Sequence, residues 1–222
     1  MFDFDGTLVD SNGIKTAVLD RMTTTMPSVS EIIAACQQRG TDRYTLFDTV
    51  ARSLRRDGSN EDRVALSRQL ASEFSRECAS RIRAAPERRG ALLTLAALRR
   101  RGLLLFINTG TPTRDVIPLL RARGLSRFFT GVFGVPGNKA DNLRQIMART
   151  HARPCEVLFV GDSMDDLAAT KATGVWFVAI DAERRIEERV RHSMADLRRL
   201  APLIDRFNAK KRLSWGCANR SP

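Results

Sequence analysis

The chain has 222 residues, of which 43% are hydrophobic, and its formal net charge is +12. This length suits one large domain, or a core that carries an insertion. No apolar run approaches the roughly 20 residues that span a bilayer, and no basic and apolar leader opens the chain. The four cysteines, Cys36, Cys78, Cys155 and Cys217, lack the spacing of a zinc site. They favour a reducing compartment, so we expect a cytoplasmic protein without a membrane partner.

The positive charge is mostly arginine and is spread along the whole chain. One interpretation is a nucleic-acid partner. Base stacking, however, needs aromatic side chains interleaved with basic ones, and the chain has a single Tyr and no such pattern. We therefore expect solvated arginine-rich helix faces and consider nucleic acid an unlikely partner. A positive field would also help to capture a phosphorylated substrate.

Two aspartates lie two residues apart in the opening run MFDFDGTLVDS. Alternate residues of a strand point to the same side, and Gly6 lets the chain turn, so Asp3 and Asp5 can reach one small site. Two like charges this close need a cation or a shared proton. The pair indicates a metal site, a carboxylate nucleophile with a neighbouring acid/base, or both. An isolated pattern of this kind also occurs in plain turns and calcium loops.

Residues 12 to about 85 contain no convincing strand. Residues 29–38, 44–56 and 62–83 have the apolar spacing of amphipathic helices. Pro27, Gly40, Gly58 and Pro86 mark breaks between them. The sequence therefore predicts a helical block in this part of the chain.

After residue 100, short apolar runs alternate with helical segments. The runs cover residues 103–107, 157–160 and 176–180, with a weaker one at 132–135, and the helices cover 91–100, 114–123, 139–150 and 165–172. Uniformly apolar strands separated by helices predict an α/β fold with a doubly wound, mostly parallel sheet. The residues from Lys210 to Pro222 are predicted to be a polar, irregular tail.

Polar residues follow each of these strands, where ligands bind in open α/β sheets. The first strand leads into a turn that contains Thr109 and Gly110, which suit a phosphate cradle or simple helix capping. Lys139 opens a helix, where a cation opposes the helix dipole unless an anion lies nearby. Asp162 and Asp166 follow the run at residues 157–160; they suit a hard cation or an acidic helix start.

These four segments, in this order, resemble the motifs of the haloacid dehalogenase superfamily. The opening run resembles its DxDGT motif, Thr109 its second motif, Lys139 its third, and Asp162 with Asp166 its GDxxxD motif. The resemblance implies a Rossmann-like core with an inserted helical cap. It divides the chain into a core of residues 1–11 and 86–209, a cap of 12–85 and a tail of 210–222.

The resemblance also implies a mechanism. Asp3 would be the nucleophile that takes up a phosphoryl group, and Asp5 the general acid/base. Magnesium would be held by Asp3, the backbone carbonyl of Asp5, Asp162 and Asp166. Thr109, the Gly110 amide and Lys139 would hold the phosphoryl oxygens. The expected partner is a small phosphorylated substrate, while the oligomeric state is left open.

The acid at Asp5 distinguishes branches of the superfamily, because the dehalogenase branch lacks it. The residues from Thr7 to Ser11 are similar to those of phosphatases, especially phosphoglycolate-phosphatase-like members, rather than of the sugar-phosphate mutases. In the helical block, the stretch from Arg39 to Arg43 is a candidate substrate loop, in which Arg43 would pair with a substrate carboxylate. An ordinary helix–helix turn explains that stretch equally well. A different alternative is a catalytically weak member whose basic surface binds a nucleic acid or a protein.

The first strand departs from the family pattern, in which about four to six apolar residues precede the nucleophile, a usual strand length. Only Met1 and Phe2 precede Asp3 here. A shortened central strand leaves neighbouring backbone groups unpaired. We therefore expect either an upstream start or a truncated, less stable chain.

Overall fold

The computed structural model describes residues 1–39, 43–180 and 189–218. The chain divides into two compact units. Unit 1 combines Met1–Asp10 with Pro86–Pro222, and unit 2 is Ser11–Ala85. Among the described residues, no helix is both long enough and apolar enough to cross a membrane.

Unit 2 is helical, as the sequence predicted. Its helices are α1 (Asn12–Thr25), α2 (Ser30–Gln38), α3 (Arg43–Leu54) and α4 (Asn60–Ala84). Ser59 and Asp62 form a reciprocal capping box that begins α4. The rings of Phe47 and Phe74 lie 5.5 Å apart between α3 and α4. Helix α1 was not predicted, because only Val18 and Leu19 of its 14 residues are buried and it has no apolar stripe.

Unit 1 alternates helices and strands in the predicted βα rhythm. In chain order its elements are α5 (Ala91–Arg100), β1 (Phe106–Pro112), α6 (Thr113–Ala122), β2 (Gly131–Val135), α7 (Lys139–Thr150), β3 (Leu158–Gly161), α8 (Met164–Thr173), β4 (Trp176–Ile180), β5 (Ser193–Met194) and α9 (Leu200–Ala218). Every pairing between these strands is parallel. The predicted α/β class, with a mostly parallel Rossmann-like sheet, is confirmed.

The opening residues join the two halves of the sheet. Strand β1 pairs with β2, and β3 with β4, which pairs with β5. Phe2 forms parallel bridges to Ile107 of β1 and to Val160 of β3. The Phe2 amide donates to Phe106 O at 2.9 Å, and the Asp3 amide donates to Val160 O at 2.9 Å. The segment before Asp3 is therefore central in the sheet, although single bridges rather than a long ladder hold it.

Two segments differ from the prediction by more than two residues. Strand β1 spans Phe106–Pro112 rather than residues 103–107, because parallel pairing with β2 continues past the apolar run into polar residues. The backbone of α9 is helical to Ala218, which corrects the irregular tail predicted from Lys210. The first four residues of that stretch are two lysines, an arginine and a leucine, which are good helix formers although three of them are charged.

Candidate active site

The candidate residues of unit 1 meet where its parallel strands end. Asp3 follows the central segment, and Thr109 is the middle residue of β1. Asp162 directly follows β3, and Lys139 begins α7, the helix after β2. Because the carboxyl ends of parallel strands share one edge of the sheet, residues far apart in sequence are brought together there.

Lys139 connects two buried carboxylates. Its Nζ donates to Asp3 Oδ2 at 2.8 Å and to Asp166 Oδ1 at 2.6 Å. The Lys139 side chain is 13% exposed, and that of Asp166 is fully buried. The conflict between Lys139 and the dipole of α7 is thus removed by two nearby anions.

The second carboxylate oxygen of Asp166 also accepts hydrogen bonds. Oδ2 accepts the backbone N–H of Asp162 at 3.2 Å, and the N–H and hydroxyl of Ser163 at 3.0 and 2.6 Å. Ser163 and Asp166 form the capping box of α8. A Cβ at position 161 would collide with the Asp166 carboxyl group, so the glycine that ends β3 makes room for this buried acid.

Three carboxylates form a group that suits a metal ion. One oxygen from each of Asp3, Asp162 and Asp166 lies within 4.8 Å of the other two. Asp162 is oriented by the Thr7 hydroxyl, which donates to its Oδ1 at 3.0 Å. Hard oxygen donors of this kind fit Mg²⁺. The fourth predicted ligand, the backbone carbonyl of Asp5, stays a prediction.

Burial and the neighbouring charges together set the protonation states of Asp3 and Lys139. Burial raises the pKa of Asp3 to about 7, with a further increase from the charges of Asp166 and Asp162 and an opposing effect from Lys139. Burial alone would lower the pKa of Lys139, but the Asp3 and Asp166 carboxylates outweigh it and raise that pKa above its usual range. Lys139 therefore stays charged, and a bound cation would favour ionised Asp3.

The Asp5 side chain is fixed by a residue that the sequence analysis missed. Thr111 Oγ1 donates to Asp5 Oδ2 at 2.6 Å, and Asp5 and Thr111 are 8% and 5% exposed. The only sequence signal was the position of Thr111 two residues after Thr109, in a segment predicted to be a turn. The segment is part of β1 instead, which is why Thr111 reaches the site.

Thr109 and Gly110 are the fourth and fifth of the seven residues of β1, so they lie within the strand and not, as was predicted, in a turn after it. Thr109 is buried, and its hydroxyl accepts the Thr111 amide at 3.2 Å. Gly110 is exposed, and a Cβ added there would meet no atom within 4 Å. The space beside this backbone is therefore open, as an anion cradle requires.

Two buried asparagines, which were also not predicted from the sequence, hold the backbone of Lys139 in place. Asn108 of β1 donates from its side-chain amide to Lys139 O at 2.9 Å. Asn142 of α7 donates to Asn108 Oδ1 at 3.0 Å. The pair ties the start of α7 to β1, which fixes the backbone that carries Lys139.

The loop after Asp5 is fastened by Arg88. Gly6 has the positive φ of 75° that a turn requires. Arg88 Nε donates to Gly6 O at 2.8 Å, and the Arg88 amide donates to Leu8 O at 2.9 Å. An ion pair joins Arg88 to Asp10 at 3.2 Å. No pattern in the sequence predicts this long-range contact.

Arg43 belongs to unit 2. Its Nη1 donates to Ser75 Oγ at 2.7 Å, and its guanidinium lies 5.6 Å from the centre of the Phe74 ring. The preceding residues of the predicted substrate loop, 40–42, lie outside the described residues. A substrate contact at Arg43 stays a prediction.

A family model described as haloacid dehalogenase-like hydrolase matches residues 1–174. The chain belongs to the haloacid dehalogenase-like hydrolase family. It is 33% identical to phosphoglycolate phosphatase 1 of Pseudomonas aeruginosa, over 81% of this chain and 68% of that protein. It is 31% identical to the phosphoglycolate phosphatase of Escherichia coli, over 78% of this chain and 77% of that protein. The chain is thus a phosphoric monoester hydrolase of this family.

Solved structures of the haloacid dehalogenase-like hydrolase family share the fold. A magnesium-bound hydrolase, YfnB from Bacillus subtilis, aligns with a TM-score of 0.68 at 17% identity, over 92% of this chain and 96% of that one. A haloacid dehalogenase-like hydrolase from Bacteroides fragilis aligns with a TM-score of 0.64 at 25% identity, over 90% and 97%. The agreement extends across nearly the full length of these hydrolases.

Proposed function

We propose that this chain is a magnesium-dependent phosphatase that hydrolyses a small phosphorylated metabolite through an aspartyl-phosphate on Asp3. One observation carries the proposal: the buried Asp3 carboxylate is paired with Lys139 and lies beside Asp162 and Asp166. A carboxylate nucleophile needs such a cationic partner when it approaches an anionic phosphate ester.

Two displacements at phosphorus make up the reaction. A carboxylate oxygen of Asp3 attacks phosphorus, the bond from phosphorus to the leaving oxygen breaks, and Asp5 gives that oxygen a proton. Asp5 then takes a proton from water, which attacks phosphorus. The bond from phosphorus to Asp3 breaks, inorganic phosphate leaves, and both aspartates return to their starting states.

The charges around Asp3 support this scheme. Lys139 contacts the Asp3 oxygen directly at 2.8 Å, so it can contact a phosphoryl group that is bonded there. A magnesium ion held by Asp3, Asp162 and Asp166, together with the Asp5 carbonyl, would neutralise charge on the phosphoryl oxygens. Asp166 already accepts four hydrogen bonds, which favours its contact with the ion through water.

The middle of β1 supplies the remaining phosphoryl contacts in this proposal. The Thr109 hydroxyl and the Gly110 amide would hold the equatorial oxygens opposite Lys139. The open space beside Gly110 supports this role.

Phosphoglycolate is the first substrate to test, because several relatives of about one-third identity are named for it. A substrate of this class carries a carboxylate besides its phosphate. We assign unit 2 as the cap and Arg43 as the residue that pairs with that carboxylate. The Phe74 ring and Ser75 hold the Arg43 guanidinium, so it is preorganised for a planar anion.

The test is phosphate release from phosphoglycolate and a panel of other phosphate esters, with magnesium or with chelator. Wild-type protein should release phosphate only with magnesium, and Asp3→Asn should be inactive. Asp165→Asn is the matched control, because Asp165 is an exposed carboxylate beside Asp166 and should behave as wild type.

Magnesium-dependent turnover by Asp3→Asn would contradict the proposed nucleophile. A folded sample that turns over no ester but binds nucleic acid in a salt-sensitive manner would favour the alternative function of a basic binding surface. Isomerisation of a sugar phosphate without phosphate release would favour a mutase.

A further inference from the structure

The hydroxyl of Thr111 and the carboxylate of Asp5 form one of the shortest side-chain contacts in the site. The Oγ1 to Oδ2 distance is 2.6 Å, and the two residues are 106 positions apart. Oxygen–oxygen distances in O–H···O hydrogen bonds range from about 2.5 to 3.0 Å, so this contact lies at the short end of the range. The contact is buried at both ends, so water competes little for either partner.

The backbone around Thr111 is itself held in place. Its amide donates to the Thr109 hydroxyl. Its carbonyl lies where a Cβ of residue 134 would be, so only glycine at that position of β2 permits the approach. Thr111 is therefore a fixed point of the sheet, and a side chain bonded to it has its orientation fixed too.

We propose that Thr111 is a positioning residue for Asp5: its hydroxyl fixes the plane of the Asp5 carboxylate so that a carboxylate oxygen faces the leaving oxygen of the substrate. This inference rests on the proposed role of Asp5 as acid/base. Proton transfer needs the acid within hydrogen-bond reach of the leaving oxygen, and a hydrogen bond from a fixed donor restricts rotation of the carboxylate about its χ2 bond.

The chain supplies a second constraint at the other end of Asp5. The turn that follows it is closed by a hydrogen bond from the Gly6 amide to Val9 O at 2.8 Å, and Arg88 holds the Gly6 carbonyl. The backbone of Asp5 is thus fixed by its own loop, and its side chain by Thr111. Loss of the Thr111 hydroxyl removes this constraint on the side chain and leaves the constraint on the backbone.

Two variants separate the hydroxyl from the shape of the side chain. Thr111→Val keeps the branched shape and loses the hydroxyl, whereas Thr111→Ser keeps the hydroxyl and loses a methyl group. The readout is kcat/KM for two substrates, because kcat/KM reports formation of the phosphoenzyme. Phosphoglycolate has an alkoxide leaving group that needs a proton, while p-nitrophenyl phosphate has a leaving group that departs without one.

For Thr111→Val we expect kcat/KM to fall about 10- to 100-fold on phosphoglycolate, the scale of a misplaced catalytic group. On p-nitrophenyl phosphate we expect a fall of less than about threefold, because that reaction needs little acid assistance. Thr111→Ser should stay within about threefold of wild type on both substrates, since the hydroxyl is kept. If Thr111→Val does not fold, Thr111→Ala removes the same hydroxyl with less demand on packing and takes its place.

Equal losses on both substrates would overturn the inference, because they would indicate a role in packing or phosphate binding. A Thr111→Ser variant as impaired as Thr111→Val would overturn it as well, and so would an unimpaired Thr111→Val. Asp5→Asn distinguishes this failure from failure of the proposed function. It should show the same preference for p-nitrophenyl phosphate, more strongly. If it does and Thr111→Val does not, only the role of Thr111 is wrong; if Asp5→Asn shows no preference, the acid role of Asp5 is wrong.

Discussion

Lys139 Nζ donates a hydrogen bond to the fully buried carboxylate of Asp166 at 2.6 Å. The same ammonium group contacts Asp3 at 2.8 Å. One cation is therefore shared by two acids that would otherwise repel each other in a region of low dielectric constant. This arrangement links the stability of unit 1 to the chemistry of its site.

Replacing Lys139 should destabilise the protein. Lys139→Met leaves Asp3 and Asp166 without their cation, and breaking a buried ion pair of this kind costs about 3–5 kcal/mol. We expect a lower free energy of unfolding in chelator and a partial recovery with magnesium, which would supply positive charge to the same carboxylates. Urea unfolding with and without magnesium measures both effects.

The control for Lys139→Met is Lys171→Met, which removes an exposed lysine of α8 and should change the free energy of unfolding by less than about 0.5 kcal/mol. A Lys139→Met protein as stable as wild type in chelator would show that the two carboxylates do not depend on this cation.

Magnesium binding should strengthen as the pH rises. The pKa of Asp3 is raised to about 7, mainly by burial, so below that pH the metal must displace a proton. The same raised pKa means that the stability Asp3 contributes to the metal-free protein is present at low pH and is lost as the pH rises through about 7.

Calorimetric titration of the metal-free protein measures this dependence. We expect affinity to be about tenfold higher at pH 8 than at pH 6, with release of a proton at pH 6. Asp165→Asn should show the same dependence. An affinity that does not change between these pH values would contradict competition between magnesium and a proton at Asp3.

Several residues of this site could be predicted from the sequence because their positions follow from the topology of the sheet. The others could not, because their contacts depend on how the strands pair. Asp3, Lys139, Asp162 and Asp166 stand at strand ends in a parallel sheet, so their convergence follows from topology. The support from Thr111 depends on how β1 is paired with its neighbours, and the register of β1 against β2 shifts between Asn108 and Pro112. Such an irregularity in strand pairing cannot be detected in the periodicity of apolar residues.

Long-range hydrogen bonds between polar side chains could not be predicted from the sequence either. Asn108 and Asn142 look like ordinary polar residues, and only the fold brings them together behind Lys139. Helices were placed well where an apolar stripe exists, as in α5, which spans the predicted residues. Helix α1 was missed because it lacks one.

The contact between Arg88 and the Gly6 carbonyl should matter more for activity than its ion pair with Asp10. Arg88→Met frees the turn after Asp5, and we expect kcat to fall by about tenfold through misplacement of the acid/base. Asp10→Asn should change kcat by less than about twofold, because the Asp10 side chain is half exposed and such ion pairs are weak.

Steady-state kinetics on phosphoglycolate compares the Arg88 and Asp10 variants, with circular dichroism to check the fold. Arg89→Ala, which removes the exposed neighbouring arginine, is the control. If Asp10→Asn is impaired as strongly as Arg88→Met, the ion pair rather than the carbonyl contact fixes the loop.

An added methyl group at Gly161 should displace Asp166. Its Cβ would collide with the Asp166 carboxyl group, so we expect Gly161→Ala to cost about 1–3 kcal/mol of stability, as overpacking does, and to abolish turnover. Gly13→Ala is the matched control, because a Cβ there meets no atom within 4 Å in α1 and should stabilise the protein by about 0.5–1 kcal/mol. Thermal unfolding compares them, and an active, stable Gly161→Ala protein would show that Asp166 can move without loss.

Acid quenching of a turnover mixture, followed by peptide mass spectrometry, shows directly whether Asp3 is the nucleophile. With magnesium and p-nitrophenyl phosphate, we expect one phosphoryl group on the peptide that contains Asp3, and none on that peptide from Asp3→Asn. Because Asp5 activates the water, Asp5→Asn should accumulate more of this phosphoenzyme than wild type. A phosphoryl group on another residue would contradict Asp3 as the nucleophile. So would phosphate release without a phosphoenzyme in either wild type or Asp5→Asn.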